Sequence, residues 1–166
     1  MKKYNVLKWT IFSLALAINL FIIVNSYLTG PVSTAASNSF INGISSTING
    51  ISPGTVNSSN KETFTMIVRK LFGHFGLFGL SSCLTTWACY LFLKNTKVKW
   101  FVWEGLISFG IGFFVASLTE LIQLFVPGRS GSIVDVLIDL AGYLIGVLLV
   151  ILIIFAAKSQ YLQEKK

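Results

Sequence analysis

The residues able to do chemistry in this chain fall in two short runs. "RKLFGHFG", residues 69–76, carries Arg69, Lys70 and His74. "TELIQLFVPGRSGSIVDVLIDLAG", residues 119–142, carries Glu120, Gln123, Arg129, Asp135 and Asp139. A positioned carboxylate or imidazole moves protons. A guanidinium holds a carboxylate or phosphate through paired hydrogen bonds. Together these groups suit anion binding, with His74, Glu120 and Asp139 available for acid–base work. Three carboxylates facing Arg129 cannot all be neutralised by it, so at least one is expected to be protonated at neutral pH unless His74 is charged or a cation is bound.

What surrounds these groups is apolar. Of 166 residues, 54% are hydrophobic and only 11% charged. A soluble domain carries about a quarter charged residues, and the mean hydropathy here is +0.74. A membrane protein is therefore expected. The net charge of +7 would suggest nucleic acid in a soluble protein. Here the basic residues flank apolar runs, which is the pattern that sets membrane topology, and no nucleic-acid partner is expected.

The stretches 9–28, 66–93, 101–125 and 133–157 have roughly the 20 residues needed to cross a bilayer. The predicted fold is an all-α membrane protein, a four-transmembrane-helix bundle over 9–157. A loop at 29–65 and a tail at 158–166 complete the chain. Lys2, Lys3 and Lys8, then Lys94, Lys97 and Lys99, then Lys158, Lys165 and Lys166 alternate with the sparser flanks Lys61, Arg69, Lys70 and Arg129. By the positive-inside rule both termini are cytoplasmic, and the loops 29–65 and 126–132 face outward. A cleaved signal peptide ending in "VSTAASN" is the rival reading; the first span exceeds the usual h-region of about 7–15 residues, which disfavours it.

"FINGISSTINGIS" repeats INGIS and places Ile41, Ile44, Ile48 and Ile51 on one helical face. A short amphipathic helix on the outer leaflet fits; a Ser/Asn-rich flexible loop is the alternative, since Asn-Gly pairs signal turns. Asn57-Ser58-Ser59 matches a glycosylation sequon that carries no weight in a bacterial cell. Cys83 and Cys89 fit neither a same-helix disulfide nor a metal-ligand pattern and read as apolar residues.

With both ends assigned, depth follows from about 1.5 Å of rise per residue. His74 lies a turn inside the second span, Glu120 near the end of the third, and Asp135 and Asp139 in the first turns of the fourth. Three helices thus place ionisable groups at one depth. Asp135, Asp139, Gly142 and Gly146 share a face of the fourth span. Gly105, Ser108, Gly112, Ala116, Thr119 and Gln123 form a stripe on the third, and Gly73, Gly76 and Gly79 lie beside His74. Small residues permit close helix approach, so the polar groups are expected to converge on one outward-open pocket. A purely structural explanation is mutual neutralisation, with Arg129 paired to Glu120, Asp135 or Asp139. Buried ion pairs are weak stabilisers, and intramembrane ionisable groups point first to function.

These residues resemble the VanZ-like family of bacterial membrane proteins. The family pattern has a basic pair before a histidine (here Arg69, Lys70 and His74), then Glu-x-x-Gln closing a later helix (Glu120 and Gln123). An Arg loop (Arg129) and Asp-x-x-x-Asn/Asp before Gly (Asp135, Asp139 and Gly142) follow. The resemblance covers about residues 9–157. Asp139 departs from the Asn common at its position, which adds a carboxylate. The family's founding member is associated with teicoplanin resistance, so the resemblance implies a role at the bacterial cell envelope.

The favoured reading is a protein that binds an anionic lipid, a cell-wall precursor or a glycopeptide at the outer leaflet. Lys70 and Arg129 would contact the anion, with Glu120 and Asp135 orienting Arg129, and with Arg69, His74, Gln123 and Asp139 completing the site. The alternative is an intramembrane hydrolase or transferase acting on a lipid substrate. In it, Glu120 or Asp139 is the base, His74 the acid and Arg129 the charge stabiliser. No Gly-x-Ser-x-Gly nucleophile is present, and nothing singles out Ser130 or Ser132. A zinc or manganese site is a third possibility, since His74, Glu120, Asp135 and Asp139 could ligate either ion; no pair has a signature spacing, so no metal or other cofactor is expected. A transporter is disfavoured, because inverted repeats and broken helices are missing from the pattern.

Overall fold

The computed structural model describes residues 2–93 and 102–163, and these are all-helical, with no strand. Helix α1 is Lys2–Ser26 and α2 is Gly30–Ile51. Helix α3 runs through Lys61–Leu93, α4 is Val102–Gln123, and α5 is Ile133–Gln163. All but α2 are long and apolar enough to span a bilayer. The chain is a multi-pass membrane protein.

The helices differ in extent from the sequence reading. Helix α1 starts earlier and α5 continues through Gln163 instead of stopping near residue 157. The connection carrying Lys94, Lys97 and Lys99 lies outside the described residues, as do Lys165 and Lys166. The first loop holds a helix of 22 residues, longer than the repeat alone implies. Pro31 sits in its first turn, where a fixed φ and a missing N–H cost nothing. Ile41 is buried, Ile44 and Ile48 are half-buried, and Ile51 is exposed, so one face of α2 is covered along most of the repeat. Asn49 then closes the turn beyond it, with Nδ2 donating to Val56 O (2.8 Å) and Oδ1 accepting from Val56 N–H (2.9 Å).

The hydrophobic effect does not draw helices together inside a bilayer, because lipid is as apolar as leucine, and close van der Waals packing must do part of the work. Small residues and interhelical hydrogen bonds do the rest. The predicted α4 stripe of Gly105, Ser108, Gly112, Ala116, Thr119 and Gln123 is buried along its whole length. Asn19 of α1 donates to Thr85 Oγ1 (3.1 Å) and accepts from Ser81 Oγ (3.1 Å). Ser108 of α4 lies 2.8 Å from the Thr86 hydroxyl of α3 and 3.2 Å from the Tyr143 hydroxyl of α5. Around Tyr143 gather Ile22, Phe78, Val115, Ala116, Val136 and Val147, the apolar core.

Two features set up the polar end. Residues Arg69–Gly76 form a π-helical segment inside α3; such insertions are rare and recur at functional sites. Opposite it, Gly142 of α5 lies against the backbone of Phe75 so closely that a Cβ would overlap the Phe75 carbonyl. The sequence reading gave Gly73 and Gly76 the same packing role. Gly73 faces open space and Gly76 meets only Leu71 of its own segment, because the wider turn rotates both away; Gly79 alone approaches α5, at Gly142.

Candidate functional site

The polar groups meet at the end of the bundle that carries α2. Glu120, in the last turn of α4, is 4% exposed. Its Oε1 accepts from Gln123 Nε2 at 2.8 Å, and its Oε2 accepts the Ser132 N–H at 2.9 Å. Gly131 makes the second bond feasible, since any side chain there would strike the Glu120 carbonyl. Ser132 then caps α5, its Oγ accepting the Val134 N–H at 3.2 Å.

Gln123 passes the chain on, its Oε1 accepting from Arg129 Nε at 3.2 Å. Arg129 Nη1 donates to Ser33 Oγ at 2.7 Å, and Arg69 Nη2 donates to the same oxygen at 3.3 Å. Ser33 is in the second turn of α2, and α2 is docked on the Arg129 loop: Gly30 N–H donates to Pro127 O (3.1 Å), and Gly30 and Gly128 are in backbone contact. Gly128 has φ +72, which few other residues adopt without strain. Phe40 and Phe72 add an edge-to-face contact at 5.4 Å between α2 and the π-helical segment.

Deeper in the bundle, His74 Nδ1 lies 3.0 Å from Asp139 Oδ1. Asp139 is fully buried, and its Oδ2 has no hydrogen-bond partner among the described residues. Lys70 forms an ion pair with Asp135. One ligand-type atom from each of His74, Glu120 and Asp139 lies within 4.8 Å of the others.

All eight residues singled out in the sequence thus sit in three sets, the Arg69–Arg129–Gln123–Glu120 chain, His74–Asp139 and Lys70–Asp135, but the partners of Arg129 differ from the expected ones. Among the described residues the ion pairs are Lys70–Asp135 and His74–Asp139. Arg129 contacts no carboxylate directly: Gln123 intervenes between it and Glu120, and Asp135 is taken by Lys70. Lys70 is therefore engaged within the bundle, and Arg69 takes the place beside Arg129. Ser33 was missed altogether, and nothing in "PVSTAASN" distinguishes its hydroxyl from its neighbours. Tyr143 was missed too, as its hydroxyl is hidden in an apolar run.

A family model described as VanZ/LLP1 matches residues 9–155. The chain belongs to the VanZ-like family. A comparison with curated proteins and with solved structures returns no significant match. As a VanZ-like protein, this chain carries the basic pair, the histidine, Glu-x-x-Gln and the two aspartates on three spanning helices. The Arg loop and α2 close over one end of them.

Proposed function

We propose that this VanZ-like protein binds an anionic headgroup at the outer face of the bacterial cell membrane. Candidate ligands are a phosphate of a lipid or cell-wall precursor, or the carboxylate of a glycopeptide, and such binding would influence susceptibility to teicoplanin-type antibiotics. The convergence of Arg69 and Arg129 on the Ser33 hydroxyl carries this reading. Two guanidinium groups repel each other, and neither has a carboxylate within ion-pair distance among the described residues. A hydroxyl has two lone pairs and one proton. With both lone pairs taken by arginines, its O–H and the remaining guanidinium N–H groups are all donors, which is the set an anion requires.

The test uses nanodiscs containing phosphatidylglycerol and phosphatidylcholine, with retained lipid identified by native mass spectrometry. A cell-wall precursor and teicoplanin, each added separately, distinguish the other sources of the anion. Wild type is expected to retain one anionic species preferentially. Arg129→Ala is expected to weaken that retention about tenfold or more, as befits loss of a charge-assisted hydrogen bond. Arg129→Lys is expected to restore it only in part, because the planar fork is lost. Equal retention by wild type and Arg129→Ala overturns the proposal.

The orientation has its own check. With both termini cytoplasmic, Ser58→Cys labels with an impermeant thiol reagent in intact cells, and Lys97→Cys labels only after permeabilisation. Labelling of position 97 in intact cells reverses the topology and places the site on the inner face.

A further inference from the structure

Asp139 presents an unsolved problem of burial. Its side chain is wholly enclosed, and only Oδ1 has a partner, His74 Nδ1 at 3.0 Å. Oδ2 is shut away from water with no donor among the described residues. A buried carboxylate oxygen with neither a proton donor nor a cation is costly. The nearby positive side chains are engaged elsewhere: Lys70 with Asp135, and Arg69 and Arg129 at Ser33. Glu120 stands beside Asp139 and His74, one atom of each within 4.8 Å of the others. Both Glu120 oxygens already accept one hydrogen bond, which leaves each a second lone-pair direction.

We propose that His74, Glu120 and Asp139 bind a divalent metal cation of the Zn2+ or Mn2+ class. One imidazole and two carboxylates form a donor set of intermediate hardness, which suits these ions. Cation–ligand distances of about 2.1 Å place adjacent ligand atoms roughly 3.0–3.5 Å apart. A cation between His74 Nδ1 and Asp139 Oδ1, already 3.0 Å apart, would replace the proton of their hydrogen bond, Asp139 Oδ2 would reach it as the second oxygen of a bidentate carboxylate, and a shift of Glu120 would close the third side. The three ligands come from α3, α4 and α5, and a bound cation would pin those helices together. This arrangement also explains why spacing gave no metal signature: each helix contributes a single ligand. His74 remains partly exposed, with 22% of its side chain accessible. The inference stands apart from the anion proposal, since Ser33, Arg69 and Arg129 are not ligands.

The test is metal content and thermal unfolding of the detergent-solubilised, chelator-treated full chain, with ZnCl2, MnCl2, MgCl2 or CaCl2 added back. One equivalent of zinc or manganese is expected to remain after desalting, and the unfolding midpoint to rise in a saturable way, because a ligand of the native state stabilises it. Asp139→Asn keeps the shape of the side chain and is expected to lose both the metal and the shift. His74→Gln is the second variant, should the first not fold. Failure of wild type to retain zinc or manganese, whether or not magnesium or calcium is held, overturns the proposal. So does retention of a full equivalent by a folded Asp139→Asn or His74→Gln.

Discussion

Glu120→Gln is expected to lower the unfolding free energy by roughly 1–3 kcal/mol, while Asp139→Asn, in metal-free protein, leaves it unchanged or raises it. The two substitutions look alike but meet opposite surroundings. Both oxygens of Glu120 accept, one from Gln123 Nε2 and one from the Ser132 N–H. A glutamine must turn its NH2 toward one of those donors. The Ser132 amide cannot invert. The Gln123 amide can flip, but its oxygen is held by Arg129 Nε, and a guanidinium has only donors. Every orientation therefore leaves two buried donors opposed. At Asp139, by contrast, an asparagine oxygen still accepts from His74, and the NH2 replaces an oxygen that had no protein partner. A neutral amide is cheaper to bury than a carboxylate. Thermal unfolding of both variants in detergent with chelator decides the matter. A tolerated Glu120→Gln beside a collapsed Asp139→Asn would move the central carboxylate from α4 to α5.

Hydropathy and length were enough to read four spans, since a bilayer imposes both on any helix that crosses it. The shared depth of His74, Glu120 and Asp139 was legible for the same reason: rise per residue is nearly constant. Rotation about the helix axis was harder to read. Along α5 and α4 it followed the 3.6-residue period, so the buried faces were legible. In α3 the π-helical segment breaks that period, and "RKLFGHFG" has no local mark of the extra residue, so Gly73 and Gly76 were given contacts they do not make. Partner choice was the least legible. Whether Asp135 pairs with Arg129 or Lys70 depends on how the Arg129 loop folds over α4. That fold depends on Gly128, on Gly131 and on the docking of α2 at Gly30. Ser33 became a site residue only through that docking, and α2 itself looked like either a short helix or a loop.

Gly142→Ala is expected to destabilise the protein by about 1–3 kcal/mol, although alanine is the better helix former. In an open helix position the exchange normally stabilises by up to about 1 kcal/mol. Gly110 is such a position, with nothing near a would-be Cβ. At Gly142 the added methyl meets the carbonyl oxygen, carbonyl carbon and Cα of Phe75, all backbone. No rotamer change relieves that overlap, so α3 and α5 must separate. Overpacking of this kind costs about 1–3 kcal/mol, enough to outweigh the propensity gain. The consequence reaches the site, because His74 adjoins Phe75 and Asp139 lies one turn before Gly142. Separation there lengthens the 3.0 Å contact between them. Thermal unfolding of Gly142→Ala and Gly110→Ala in the same detergent should therefore shift in opposite directions. A Gly142→Ala protein as stable as wild type would show that α3 and α5 do not approach at Phe75, and the placement of His74 against Asp139 would fall with that contact.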